Sequence, residues 1–227
     1  MVREIVLDTE TTGLDPLSGH RIIEIGAHEL LNHVPTGNNY HCYIDPQRDV
    51  DLGAFEVHGL SREFLSDFPP FSGIVDSFLD FIGKDRLIIH NARFDMGFIN
   101  MELHRLGRDD IPMDEVVDTL KIARQRFPGA QASLDALCRR FEIDNSHRDL
   151  HGALVDASLL ASVYLELIGG RQPALELAEN AGSIQVSAPR ETMTREQRKF
   201  AASSEERAAH GQLLDQLTDP IWRNNEM

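Results

Sequence analysis

Three features of the 227-residue chain predict an α/β fold. Its first apolar run, Ile5-Val6-Leu7, is aliphatic or β-branched and reads as a buried strand. Two further strand patterns follow on short connections, so the sheet is expected to begin antiparallel. Further on, the buried run Leu87 to His90 feeds directly into helical spacing from Phe94, and helical spacing recurs as far as Ile168.

In chain order, the first strand ends in Asp8-Thr9-Glu10-Thr11-Thr12-Gly13, with Gly13 expected to make the tight turn. Leu14 to His20 contains Asp15-Pro16 and Ser18-Gly19 and is turn-like. Arg21 to Leu31 predicts the second strand, and Tyr40 to Ile44 the third, closing on Asp45-Pro46. Gly53 to Gly59 predicts a short helix. Pro69-Pro70 opens another that runs through Phe78 and Phe81 and stops at Gly83. After the strand Leu87 to His90 comes a helix from Phe94 to Leu106, ended by Gly107. Val116 to Thr119 fits either a short strand or a helix entry. Leu120 to Arg126 and Ser133 to Phe141 read as helices parted by Pro128-Gly129, with Ser133 as an N-cap. From Ala153, the spacing of Leu154, Ala157, Leu160, Ala161, Tyr164, Leu165 and Ile168 predicts a long amphipathic helix.

Gly169-Gly170 marks the expected end of a first domain, residues 1–170. Residues 171–195 read as a linker, since Gly182 to Arg195 has no clear periodicity. In the remaining segment, 196–227, Glu196 to Leu217 predicts a polar helix with a small stripe of Leu213, Leu214 and Leu217. Asp219-Pro220 breaks it ahead of Ile221-Trp222. No internal repeat is visible.

Composition bounds the function. The net charge of −15 argues against a protein that coats nucleic acid with a basic face, yet leaves room for nucleic acid at a small site. A carboxylate metal centre brings its own positive charge to a phosphate. Cys42 and Cys138 give no disulfide framework, which fits a reducing, cytoplasmic setting. No apolar run is long enough to span a membrane, and the N-terminus goes straight into a strand, so no signal peptide is evident.

The chemistry begins at Asp8 and Glu10. Side chains alternate along a strand, so both carboxylates point to one side. Two acids on one face repel unless a cation sits between them, and a hard divalent ion such as Mg²⁺ or Mn²⁺ is the simplest partner. A bare D-x-E also fits an ordinary polar turn; matching acids elsewhere decide. Asp95 lies near a helix start just beyond a strand end, where ligand sites gather in α/β sheets. Asp156 lies in the first turns of the long helix. His151, five residues back, would be about 140° around that helix, so it is assigned to the approach loop, free to reach over the same site.

The order D-x-E-T-T-G, then N-x-x-F-D, then H-x-A-x-x-D resembles the DEDD exonucleases, in their histidine-bearing subgroup, over residues 4–168. Val117-Asp118-Thr119-Leu120, Phe127-Pro128-Gly129, Ser133-Leu134-Asp135-Ala136-Leu137 and His151-Gly152-Ala153-Leu154-Val155-Asp156-Ala157 are most similar to the ε-type proofreading subunits of bacterial DNA polymerase III. The resemblance implies a ribonuclease H-like fold: a mixed five-stranded sheet, its first three strands antiparallel, flanked by helices, with a C-terminal tail beyond. It implies a metal-dependent 3′→5′ exodeoxyribonuclease with two Mg²⁺ or Mn²⁺ ions, acting on a single-stranded or frayed DNA 3′ end. Asp8 would bridge the ions. Glu10 and Asp156 would complete one ion's site, and Asp95 would bind the other ion, directly or through water. His151 would take the proton of the attacking water. Thr11, Thr12, Gly13 and Leu14 would touch the last base and sugar, His58 would contact the product phosphate or sugar region, and Asn91 and Phe94 would line the site. Leu14 and Phe94 could equally be core, and Asn91 a helix cap.

The other histidines and acids have plainer readings. His147 reads as a surface residue, His90 as structural, Asp118 as a helix cap, Asp135 and Asp149 as solvated, and Cys138 as packing. By the same resemblance the C-terminal segment tethers the polymerase catalytic subunit through Leu213, Leu214, Leu217, Ile221 and Trp222. The family's sliding-clamp peptide falls at Gln185 to Pro189, which matches it poorly and reads as plain linker. Trimming of RNA or short oligonucleotides, and a silent polymerase scaffold, are the alternative functions.

Overall fold

In the computed structural model the chain forms two compact units, Met1–Leu175 and Glu176–Met227, and the described residues of the first hold five strands and seven α-helices. The structure describes residues 1–146, 150–169 and 202–216. The strands are β1 (Arg3–Thr11), β2 (Ile22–Leu31), β3 (Val34–Tyr43), β4 (Arg86–Ile89) and β5 (Val116–Asp118). The helices are α1 (Leu52–His58), α2 (Arg62–Leu65), α3 (Phe71–Ile82), α4 (Arg93–Arg105), α5 (Thr119–Arg126), α6 (Leu134–Arg140) and α7 (Ala153–Leu167).

The sheet order is β3-β2-β1-β4-β5. β1 to β3 form an antiparallel meander, while β1, β4 and β5 run parallel. This is the mixed five-stranded sheet expected from the sequence. The central strand β1 buries Ile5, Val6 and Leu7 completely, and its alternation divides the core in two. Ile5 and Leu7 pack with Phe71, Phe78, Phe98 and Ile99 on the side of α3 and α4. Val6 packs with Leu137, Leu160, Val163 and Tyr164 on the side of α6 and α7.

The edge strand starts earlier than its sequence suggests. Leu31 pairs with Val34 and Leu30 with Pro35 around a two-residue turn in which Asn32 and His33 both have positive φ, 50° and 67°. Residues 34–39 are exposed, so no apolar alternation marks them; pairing to β2 alone makes them a strand. Proline at 35 is tolerated because an edge strand need not donate on both sides. Val116 to Thr119 is both of its alternatives: a three-residue strand, then a helix capped by Asp118, whose carboxylate accepts from Leu120 N at 3.0 Å. Ser133 caps α6 as expected, at 3.3 Å from Ala136 N.

The second unit contributes one described helix, α8 (Ser204–Gln216), inside the Glu196 to Leu217 expected, of which 196–201 and 217 lie outside the described residues. Leu213 is exposed on it and Leu214 half-buried. Leu217, Ile221, Trp222, the Gln185 to Pro189 stretch, His147, Asp149 and the boundary at Gly170 lie outside the described residues. Among the described residues, no helix is long and apolar enough to cross a membrane.

Candidate active site

The site forms where β1 ends. Asp8 pairs with Gly26 and Glu10 with Glu24 across the β1–β2 ladder, so these four positions share the sheet face that looks toward α7. The ladder then skips Ile23, with Thr11 opposite Ile22; this bulge ends regular pairing directly after the two acids.

Asp95 arrives from the opposite face of the sheet, on the first turn of α4. Its Oδ1 accepts from Thr9 N at 3.1 Å and from Thr9 Oγ1 at 2.7 Å. Thr9 is the residue between Asp8 and Glu10, so one strand position holds the third acid beside the first two. Burial pushes the Asp95 carboxyl up to about 7, against the opposing Thr9 hydrogen bonds and with the Asp118 charge adding to the rise.

Asp156 is brought in by α7, whose N-terminus is built onto β2. Its N-cap residue, Gly152, has no side chain to cap with. The missing acceptor comes from Glu24, buried on β2, whose Oε2 accepts from Ala153 N at 3.2 Å while its Oε1 pairs with His41 Nε2 at 2.7 Å. Two residues along the same face, a Cβ on Gly26 would lie 2.2 Å from the backbone of Ala153 and Leu154. Two further along, His28 Nε2 donates to Leu154 O at 3.2 Å. Glu24, Gly26 and His28 thus form one seat for the helix start, and Asp156 stands on the turn they hold.

His151 lies in the approach loop, as its spacing predicts. Its backbone N–H donates to Val57 O at 3.1 Å, pinning the loop to α1, and its Nδ1 lies 3.2 Å from Asp156 Oδ2. The ring is 43% exposed, so solvent reaches it. Glu10, His151 and Asp156 each offer a ligand atom, and these atoms lie within 4.8 Å of one another. Asp8 and Asp95 line the same cleft. A donor set of carboxylate oxygens with one imidazole fits a hard divalent cation.

Two cavities meet here. A cleft of about 830 Å³ is lined by the acids, Arg124 on α5, the 130–133 loop and the start of α6. A smaller, more apolar pocket of about 380 Å³ lies between β1's end and α1, walled by Ala54, Val57 and His58. Glu10, Leu14 and Phe94 belong to both, so they mark the junction. Leu14 is not core: it is 84% exposed at the rim. Phe94 packs on Phe98 with ring centroids 5.0 Å apart and turns its other side to the cavities. Asn91 lines the cleft and is not the cap of α4, a place taken by Ala92; its φ of 62° turns the chain between β4 and α4. His58 Nδ1 accepts from Leu60 N at 3.0 Å, so in the neutral ring the proton is on Nε2; burial lowers this imidazole's pKa and keeps it neutral.

Thr11 and Gly13 line the smaller pocket, but Thr12 is not brought to either cavity. It is fully buried, and its hydroxyl is engaged by His20 Nδ1 at 3.1 Å and Arg21 N at 3.0 Å. Gly13 is glycine for space rather than for a left-handed turn: a Cβ would lie 2.3 Å from the His20 ring. Asp135 is no solvated bystander, since it lines the cleft, and Asn145 Nδ2 lies 3.4 Å from its carboxylate. His90 bonds Thr119 Oγ1 at 2.9 Å, and Cys138 is packing. Thr9, Glu24, Gly26 and His28 were not singled out from the sequence. Alternation along β2 was the one signal available, and it needs α7's docking to acquire meaning.

Carboxylates from the end of a central strand, a helix start and a second helix start converge with one histidine on a cleft that fits a divalent cation, and this defines a nuclease of the exonuclease class. The chain belongs to the exonuclease family, whose family model matches residues 5–164. It is 56% identical to the DNA polymerase III subunit epsilon of Rickettsia conorii over 186 residues, covering 81% of each chain. It is 48% identical to the subunit of that name in Escherichia coli over 239 residues, covering 98% of each. Among solved structures, the nuclease domain of 3′hExo, a DEDDh family member bound to rAMP, superposes with a TM-score of 0.64 at 17% identity, over 73% of this chain and 91% of that one. These establish the ribonuclease H-like exonuclease fold.

Proposed function

We propose that this chain is the proofreading 3′→5′ exonuclease of a bacterial DNA polymerase III, releasing nucleoside 5′-monophosphates from mismatched DNA 3′ ends. The observation that carries this reading is the convergence of Glu10, Asp156 and His151 within 4.8 Å, in a cleft shared with Asp8 and Asp95 and open to an apolar pocket. The terminal nucleoside occupies that pocket, its base between Leu14, Val57 and Phe94, with His58 Nε2–H as a donor at its edge. An unpaired terminus costs least to unstack, so a mismatch enters most readily.

Asp8, Glu10, Asp156 and Asp95 would hold two Mg²⁺ or Mn²⁺ ions. When bound, such a pair acidifies the attacking water and neutralises charge building on the phosphate and the leaving 3′ oxygen. With Nδ1 turned to Asp156, His151 would take the water's proton on Nε2. The water oxygen bonds to phosphorus as the bond to the 3′ oxygen breaks; that oxygen takes a proton from solvent, and the exposed His151 returns its own to solvent. Thr9 holds Asp95 in place throughout, and the Glu24 cap holds Asp156. In the reading proposed, residues 1–170 form the nuclease domain, 171–195 the linker, and 196–227, with Leu213 and Leu214, the contact to the polymerase subunit.

The test is a 5′-labelled primer, paired or with a 3′ mismatch, in Mg²⁺ or EDTA, beside the matching RNA. Stepwise loss from the 3′ end, faster at the mismatch and abolished by EDTA and by Asp8→Ala with Glu10→Ala, supports proofreading. Equal cutting of RNA transfers the reading to RNA trimming. No cutting of either with metal present leaves a polymerase scaffold.

A further inference from the structure

We infer that Arg124 is a phosphate contact for the strand upstream of the scissile bond, giving the cleft a second nucleotide subsite on the α5 side. The inference rests on the exonuclease reading above.

The two cavities share Glu10, Leu14 and Phe94 and are otherwise walled by different elements, α1 on one side and α5 with the 130–133 loop on the other. The apolar pocket, about 380 Å³, ends against α1 and has room for one terminal nucleoside. The larger cleft, about 830 Å³, continues past Asp156 to Arg124, Gln131 and Ser133. With the reacting phosphate over the acids and its nucleoside in the small pocket, the rest of the strand must leave along the larger arm. There it carries one negative charge per nucleotide into a cleft whose walls include five carboxylates: Asp8, Glu10, Asp95, Asp135 and Asp156. Metal ions held by those acids would offset charge only at the scissile phosphate. The next phosphate needs another cation, and Arg124 is the one arginine or lysine among the described lining residues.

The neighbouring arginines are occupied. Arg126 donates to Glu166 O and Leu167 O at 2.7 and 2.6 Å, closing the end of α7. Arg140 stacks over Phe127, with its guanidinium carbon 4.4 Å from the ring centroid. Arg124 is exposed on α5 and makes no hydrogen bond or ion pair among the described residues. A planar guanidinium in that position suits bidentate recognition of a phosphodiester. Such a contact reads backbone, not sequence, as a proofreading enzyme requires.

The experiment compares two substrates of the same chemistry. An oligothymidylate has an upstream phosphate; thymidine 5′-(p-nitrophenyl phosphate) has only the scissile one. Arg124→Ala is expected to lower kcat/KM about tenfold more on the oligonucleotide than on the ester, chiefly through KM. The slope of log affinity against log salt should fall by about 0.7, the value for one single-strand phosphate contact. Arg124→Lys should restore most of that slope, since the charge is kept. Binding of labelled oligothymidylate to a cleavage-dead Asp8→Ala background, read by anisotropy, repeats the test without catalysis. It should weaken about fivefold to tenfold on adding Arg124→Ala. Equal losses on both substrates, or an unaltered salt slope, would overturn the subsite. Failure of the unaltered chain to cut either substrate would overturn the exonuclease reading instead, and the anisotropy would still decide Arg124.

Discussion

Replacing Gly26 by alanine should separate Asp156 from the other acids. The new Cβ would lie 2.2 Å from Ala153 C and Leu154 N, where ordinary contact begins at 3.4 Å, so the start of α7 must retreat by roughly 1.2 Å. Both groups are backbone, one in the central sheet and one in a buried helix, and neither can turn aside. Overpacking of this kind costs about 1–3 kcal/mol. The same retreat stretches the Glu24 cap and the His28 bond, both 3.2 Å, beyond hydrogen-bond range, at roughly 1 kcal/mol each. A total of about 4 kcal/mol corresponds to a fall in Tm of roughly 8–16 °C for a domain of this size. A displacement near 1 Å at a reacting group can cost about a hundredfold in rate. Calorimetry and the primer assay read both effects on one preparation. Gly97→Ala is the control: it sits on α4, which carries Asp95, its Cβ would meet only Pro16 at 3.8 Å, and it should gain up to about 1 kcal/mol. A Gly26→Ala protein within 2 °C and threefold of the original would refute the seat.

Three other outcomes are expected. Thr9→Val removes the hydroxyl from Asp95 while preserving shape; it should weaken Mn²⁺ binding measured by calorimetry, cost about 1–3 kcal/mol, and be rescued by Thr9→Ser. Glu24→Ala leaves Ala153 N–H and His41 without their acceptor and should lower stability by a similar amount, with Gln recovering part of it. Asp95 supplies a pH test in metal-free protein. Its folded pKa, about 7, is above the unfolded value, so the folded state favours the protonated acid, and stability falls as pH rises from about 4 to 7. Asp95→Asn should remove this slope, and the gap between the two proteins at pH 8 should be on the order of 4 kcal/mol by urea titration. A flat profile in both would place the charge elsewhere.

Much of the site was legible because it is local. Asp8 and Glu10 share a face by strand alternation alone, and Asp95 and Asp156 each follow a recognisable element start. His151 was correctly kept off α7 by the angle between residues five apart. What could not be read was long-range or defined by exclusion. The exposed half of β3 has no apolar pattern, because an edge strand is specified by its neighbour. Thr12 looked like a ligand contact beside Thr11, yet the pairing of the chain at Arg21 seals it inside. Asp135 reads as solvent-facing on its own helix and is a cleft wall only because α6 packs beside α7.

The sequence by itself picked out the acids Asp8, Glu10, Asp95 and Asp156 and the order of strands and helices that brings them to one cleft. Both follow from periodicities of two and 3.6 residues, which involve only near neighbours along the chain. Tertiary structure alone decided what holds those acids in place. Thr9 reaches Asp95 across 86 positions, and Glu24 caps α7 across 129. Contacts at such separation depend on which faces the folded sheet turns toward which helices, and a buried carboxylate that caps a distant helix leaves no mark in its own neighbourhood.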